Sequence, residues 1–271
     1  MHPLLIELFN LPIRAYGAFV GAALVTSMAL VVRYGRRSGL SGDRMLDAAY
    51  AGVIAGLVGG RLMYIIVHAP DFQSNPLSAL RVWEGGMMYF GGLVLGTIVG
   101  CFVAVRLGLS LWRAGDSMAP AIGAGQAVGR VACLVAGCCY GKCWENPLAI
   151  TFHDPLAAVP SSMMGVGLIP TQVLQILEGL FLWWLGAWLY RHKRWDGQAF
   201  LYTLAAAGTT RALLEELRGD AARGFLLPSV FGEALPSSRV VGIALVLAAV
   251  LMTVVRRGQQ RGATGAKPAE A

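Results

Sequence analysis

The chain has 271 residues, of which 56% are hydrophobic and 14% charged, with a net charge of +7. Soluble domains carry about 25% charged residues, so an ordinary soluble enzyme is excluded. The positive balance needs no nucleic acid, because basic cytoplasmic loops on a membrane protein account for it, and no nucleic-acid motif occurs.

The charges are placed so as to leave long apolar runs. Ala15–Val32 carries none, and neither do Gly85–Val105 and Val240–Val255. Ala48–Val67 holds Arg61, Ser117–Gly141 holds Arg130, and Leu168–Tyr190 holds Glu178. A further run, Gly197–Leu217, ends in Arg211, Glu215 and Glu216. Runs of about 17–25 apolar residues match the hydrocarbon thickness of a bilayer. The expected fold is therefore all-α: a polytopic transmembrane helical protein of about seven spans. The N-terminus lacks the basic region, short apolar core and small-residue site of a cleavable signal, so the first span is expected to be retained.

Basic residues set the orientation. Arg33, Arg36, Arg37 and Arg44 fall in one loop, then Arg106 and Arg113, then Arg191, Lys193 and Arg194, then Arg256, Arg257 and Arg261. The alternate loops hold fewer basic residues, mixed with Asp and Glu. This pattern predicts a periplasmic N-terminus and a cytoplasmic C-terminus. Residues 1–257 read as a single transmembrane domain. The small, polar stretch 258–271 reads as a disordered tail.

Gly52, Gly56 and Gly60 recur every four residues, as on a closely packed membrane-helix face. Gly85-Gly86 and Gly91-Gly92 bracket a short apolar insert, where paired glycines serve either packing or the approach of backbone to a ligand. The tryptophans fall mostly near predicted span ends, as an interfacial belt.

Charges inside an apolar run are costly and mark function or a structural pair. Arg61 and Arg130 stand alone in theirs. Arg211, Glu215 and Arg218 lie on one helical face by their spacings of four and three. Were Arg61, Arg130 and Arg211 to converge, they would form an anion site, since guanidinium suits phosphate as a permanently charged bidentate donor. A phospholipid head group is the natural anion at that depth.

Four cysteines cluster at Cys133, Cys138, Cys139 and Cys143, while Cys101 stands apart in an apolar run. On an oxidising face the cluster reads as a disulfide staple. It also reads as a reactive or redox thiol beside Lys142 and Arg130, or as a soft-metal site of no standard spacing.

Several of these residues belong to motifs of a known family. Gly59-Gly60-Arg61 with Tyr64, then Arg81-Val82-Trp83-Glu84-Gly85-Gly86-Met87, then Gly91-Gly92 resemble the second and third spans of the prolipoprotein diacylglyceryl transferases. Gly129-Arg130 with Gly137 and Gly141 is similar to that family's G-R-x-G-N-F-x-N-x-E-x-x-G signature. Pro170-Thr171-Gln172 with Glu178, and Arg211 with Glu215 and Arg218, resemble its P-[ST]-Q and F-R-x-x-x-E-x-x-R segments. Arg14-Ala15-Tyr16-Gly17 resembles its first-span W-Y-G. The resemblance covers roughly residues 14–255.

The resemblance implies a seven-helix protein of the bacterial inner membrane, with its N-terminus outside. The implied reaction moves the diacylglyceryl group of phosphatidylglycerol onto the lipobox cysteine thiol of a prolipoprotein signal-peptide substrate, releasing glycerol phosphate. No cofactor or metal is implied. Arg130 and Arg211 would hold the lipid phosphate. Tyr16, Arg61, Tyr64, Gly86, Gly91, Gly92, Gly141 and Arg218 would line the substrate.

The chain departs from the family at Phe90, Cys133, Cys138 and Ile169, where the family motifs carry His, Asn, Glu and His. Glu84, Glu215, Cys138 or Cys139 would then supply the base, with Cys138 and Glu215 joining the arginines as catalytic candidates. The A-G-C-C-Y-G-K run also resembles a cysteine-bearing branch. The alternative function is a phospholipid-binding relative with thiol chemistry on another acceptor; a third reading is a lipid-binding protein with no enzymatic activity.

Overall fold

The apolar runs fold as helices, which satisfy backbone N–H and C=O groups internally where a bilayer offers no water. The computed structural model describes residues 4–8, 11–73, 75–81, 86–220, 225–230 and 233–265. A hairpin of β1 (Leu4–Leu8) and β2 (Leu11–Arg14) leads into α1 (Ala15–Arg37). Then come α2 (Gly42–Val67), the single turn α3 (Ala69–Phe72), α4 (Tyr89–Arg106), α5 (Leu111–Ala136), α6 (Thr171–His192) and α7 (Gln198–Leu214). A second hairpin, β3 (Phe225–Val230) with β4 (Glu233–Pro236), precedes α8 (Ser237–Gly265).

Seven of the described helices thus follow the seven apolar runs. Five of them are long and apolar enough to cross a membrane: α1, α2, α5, α6 and residues 239–258 of α8. The apolar part of α4, Phe90–Arg106, is shorter. α7 has 17 residues, about 25 Å at 1.5 Å per residue. It stops at Leu214 because Glu215–Leu217 tighten into a 3-10 turn. α8 runs on to Gly265, past the point where the polar tail was expected to begin. Gln259, Gln260 and Arg261 are adequate helix formers. Residues 266–271 lie outside the described residues.

The chain packs as two units: Met1–Leu30 with Met118–Ala271, and Val31–Ser117. In the second unit α2 and α4 meet along their glycines. A Cβ on Gly56 would lie 3.4 Å from the Gly92 carbonyl oxygen, and one on Gly92 would lie 2.9 Å from that of Gly56. Backbone thus packs directly on backbone, as the four-residue spacing implied.

In the first unit α5 and α6 pack equally closely, since a Cβ on Gly179 would fall 2.5 Å from the Ala127 nitrogen. Ala119, Leu189 and Ala199 form a small buried cluster at the far end of this unit. Between α5 and α6 the chain makes a cap with its own core of Tyr140, Phe152, Val159 and Leu168.

Candidate functional site

The site is assembled where α5 ends. Gly137 adopts a left-handed conformation (φ 74°), the usual helix-terminating geometry, and its N–H and that of Cys138 both donate to the Cys133 carbonyl, at 3.0 and 3.2 Å. Cys139 has φ 60°, the one positive value at a non-glycine among the described residues. Such strain persists where the surroundings enforce it. Here Gln172 Nε2 donates to the Cys138 carbonyl at 2.9 Å and Thr171 Oγ1 to that of Cys139 at 2.7 Å.

The chain then runs extended through Tyr140–Lys142. Gly141 N–H donates to Ile169 O at 3.1 Å, Lys142 N–H to Leu217 O at 3.0 Å, and Gly219 N–H to Tyr140 O at 3.1 Å. A Cβ on Gly141 would lie 2.5 Å from Ile169 Cβ and 2.6 Å from its carbonyl oxygen. Gly141 therefore lets three backbone segments close on one another.

This turn gathers thiols. The sulfurs of Cys133, Cys138 and Cys139 all lie within 4.8 Å of one another, and all five cysteines are unbridged. Cys143 points away, with its sulfur 3.9 Å from that of Met163. Beyond the end of α5, the Cys139 thiol is pulled below its ordinary range by hydrogen bonds from Cys133 and Cys138, helped by Arg218 and Arg130. The same sulfur contacts push Cys138 up.

Beside the thiols stands a group of arginines. Arg130, one turn before Cys133 on α5, donates from Nη1 to its sulfur at 3.8 Å. Arg211 Nη2 lies 3.2 Å and Arg218 Nη1 3.6 Å from Glu215 Oε2. Arg218 also grips Asp220 with two hydrogen bonds. Burial opposes the Arg218 charge, but the Asp220 carboxylate overcomes it and holds the guanidinium pKa above its ordinary value. Glu178 accepts from Gln126 Nε2 at 2.7 Å and Thr210 Oγ1 at 2.5 Å, within electrostatic reach of Arg211 and Arg130. Tyr16, in the first turn of α1, is within reach of Arg130 and the three thiols.

Several groups in this cluster are conspicuous for what they lack, among them Gln172 Oε1 and the Glu215 carboxylate oxygens, which accept no hydrogen bond among the described residues. Arg211 Nη1 is buried without a hydrogen-bond partner among the described residues, and so is the whole side-chain amide of Gln175. A buried guanidinium donor left this way is costly unless an anion meets it.

The structure therefore brings Arg130, Arg211, Cys138, Glu215, Tyr16, Gly141 and Arg218 into one unit and around one place. Arg61, Tyr64, Gly86, Gly91 and Gly92 belong to the unit Val31–Ser117. There, among the described residues, Arg61 donates to four carbonyls: Ala79 at 2.8 Å, Gly86 at 3.0 Å, Ser78 at 2.8 Å and Arg81 at 3.3 Å. Its guanidinium also lies over the Tyr64 and Phe72 rings. It thus holds the segment between α2 and α4. Gly91 and Gly92 pack against α2. Trp83, Glu84 and Gly85 lie outside the described residues.

Sequence reasoning passed over Gln126, Gln175, Thr210 and Asp220. Gln172, Gln175 and Glu178 recur every three residues on α6 and are all buried, a polar stripe that was there to be read.

A family model described as prolipoprotein diacylglyceryl transferase matches residues 3–255. The phosphatidylglycerol–prolipoprotein diacylglyceryl transferase of Clostridium tetani is 29% identical over 220 residues, covering 81% of this chain and 86% of that protein. The second such transferase of Clostridium perfringens is 26% identical over 96% of this chain and 98% of its own. That of Vibrio atlanticus is 29% identical over 93% and 89%.

Proposed function

As the chain belongs to the prolipoprotein diacylglyceryl transferase family, we propose that it transfers the diacylglyceryl group of phosphatidylglycerol to the cysteine thiol of a prolipoprotein. The observation that carries this reading at the level of the site is Arg211, whose buried Nη1 has no hydrogen-bond partner among the described residues and whose neighbour is Arg130. A lipid phosphodiester fits that need, because guanidinium donors match phosphate oxygens.

The acceptor sulfur attacks the glycerol carbon that bears the phosphate ester. A C–S bond forms and the C–O bond breaks, with its electron pair moving to the phosphate oxygen. The departing glycerol phosphate thereby gains a negative charge. Arg130 and Arg211 stabilise that charge as it develops, an interaction stronger in the transition state than in the bound lipid. Glu215 sits between Arg211 and Arg218 and orients both. Glu178, held by Gln126 and Thr210, anchors the floor of the site.

The site lies where α1 and α6 begin and α5 and α7 end. The opposite end of the same unit is basic: Arg256 Nη2 donates to Asp196 O at 3.4 Å and Arg257 Nη2 to the Tyr202 hydroxyl at 2.7 Å. Basic ends face the cytoplasm, so the site opens toward the outer leaflet of a bacterial inner membrane, where a prolipoprotein emerges.

The test uses the detergent-solubilised protein, phosphatidylglycerol and a synthetic lipobox peptide. Glycerol phosphate release, matched by a diacylglyceryl gain in peptide mass, is expected from the intact protein. Arg211→Ala should lose about 10²-fold or more in rate, the scale seen when one charge-stabilising donor is removed. Lipid binding without transfer would favour the reading in which the acceptor is something other than a lipobox thiol.

A further inference from the structure

An acceptor thiol attacks as its thiolate, so something must take its proton. Among the described residues around the arginine cluster there is no histidine, and each carboxylate is held in an ion pair or by hydrogen bonds. Glu215 lies between two guanidiniums, Asp220 is gripped by Arg218, and Glu178 accepts two hydrogen bonds. What remains is the group of three sulfurs.

Their arrangement is that of a metal site. A tetrahedral Zn²⁺ with bonds of about 2.3 Å holds its sulfurs about 3.8 Å apart. Cys133, Cys138 and Cys139 already place theirs within 4.8 Å of one another, so small side-chain rotations bring them onto one ion. The backbone is fixed for the purpose. The strained Cys139 is held through its carbonyl by Thr171, and Cys138 by Gln172. Three thiolates around a divalent ion carry a net charge of −1. Arg130, which already donates to the Cys133 sulfur, and Arg218, within reach of Cys139, complement that charge.

We propose that Cys133, Cys138 and Cys139 bind one Zn²⁺ through three thiolates, and that its open fourth position takes the acceptor thiol. The second half rests on the transferase reading above. Three protein ligands and one open position is the pattern of a catalytic rather than a structural zinc. Coordination deprotonates the incoming thiol outright and its proton passes to water. The metal-bound thiolate keeps a lone pair that attacks the glycerol carbon of the lipid, and the electron pair of the broken C–O bond leaves on glycerol phosphate. The product sulfur is a neutral thioether, a weaker ligand, and yields its place to the next thiol.

The experiment loads the reduced, detergent-solubilised protein with Zn²⁺ or Co²⁺ and measures bound metal and the cobalt–thiolate charge-transfer absorption. The expected result is one ion per chain with the intensity of three thiolates. Cys133→Ser, Cys138→Ser and Cys139→Ser should each weaken binding by about tenfold or more, since even the loss of an outer-shell partner costs 10–100-fold. Cys143→Ser should bind as the intact protein does. If the serine variants fail to fold, the cobalt spectrum of the intact chain still counts the thiolates. A lipobox peptide should add a further thiolate to that spectrum, and the same peptide with serine for cysteine should not. An intact protein that binds no metal, yet transfers diacylglyceryl in the presence of chelator, overturns the zinc proposal and leaves the transferase standing. A cobalt–trithiolate spectrum that the peptide never changes, with no transfer, overturns the acceptor role together with the transferase reading.

Discussion

Arg218 and Asp220, two residues apart, face each other through two parallel hydrogen bonds, Nε to Oδ1 at 2.9 Å and Nη2 to Oδ2 at 2.6 Å. The remaining nitrogen of Arg218 is thereby aimed at Glu215, 3.6 Å away. The same residue pairs with Gly141 in an isolated bridge, so one ion pair fixes both the cysteine turn and the arginine cluster.

Removing one member of a buried ion pair strands the other, which costs about 3–5 kcal/mol. Asp220→Ala should therefore lower thermal stability in detergent by about 3 kcal/mol. Replacing both residues by apolar ones of similar size should cost less. Equal losses from the single and double variants would show that the pair does not act as a unit.

Glu178 accepts from Gln126 and Thr210 in the floor of the site. Glu178→Ala leaves the half-buried Gln126 amide without its acceptor, while the Thr210 hydroxyl keeps Ala206 O at 3.0 Å; the change costs about 1–3 kcal/mol and should lower stability and transfer together. Glu178→Gln keeps an acceptor and should retain most of the stability. The comparison is read by unfolding curves of the two variants.

In the unit Val31–Ser117, Gly86 has φ 76°, and a Cβ there would lie 2.5 Å from Tyr64 Cε1 and 2.9 Å from Arg61 Nη1. Gly86→Ala should loosen the Arg61 clamp and cost about 1 kcal/mol or more from the left-handed backbone alone. Faster backbone hydrogen exchange at residues 78–81 is the accompanying signal. Unchanged exchange there would mean that Arg61 does not organise this segment.

Gly92 lies directly on the Gly56 backbone. Gly92→Leu cannot be accommodated without separating α2 from α4, and the expected result is loss of folded protein. Leu93→Ala, on an exposed part of the same helix, should leave folding intact. The check is the yield of monodisperse protein in detergent.

Much of this was legible in the sequence, and the reasons differ by residue. Runs with few or no charges located the helices because no charge is cheaply buried in a bilayer. Arg130 and Arg211 stood out for the same reason, and the four-residue spacing of Gly52, Gly56 and Gly60 announced close packing. What spacing does not carry is where a long side chain ends. Arg61 reads like Arg130 in sequence, yet it donates to backbone carbonyls of its own unit. Gly91 and Gly92 read equally as a ligand approach or a packing face, and only the position of α2 decides. Gln126, Gln175 and Thr210 escaped notice because uncharged polar residues barely interrupt an apolar run. Asp220 escaped because it lies past the helix, where an acidic residue is ordinary.

The most direct measurement is the transfer assay with the intact protein and Arg211→Ala side by side, each checked for folding. Phosphatidylglycerol and a lipobox peptide should yield a thioether-linked diacylglyceryl peptide with matching glycerol phosphate, and Arg211→Ala should lower the rate by about 10²-fold or more. A folded Arg211→Ala protein that transfers at the intact rate would contradict the role of Arg211 in stabilising the leaving phosphate.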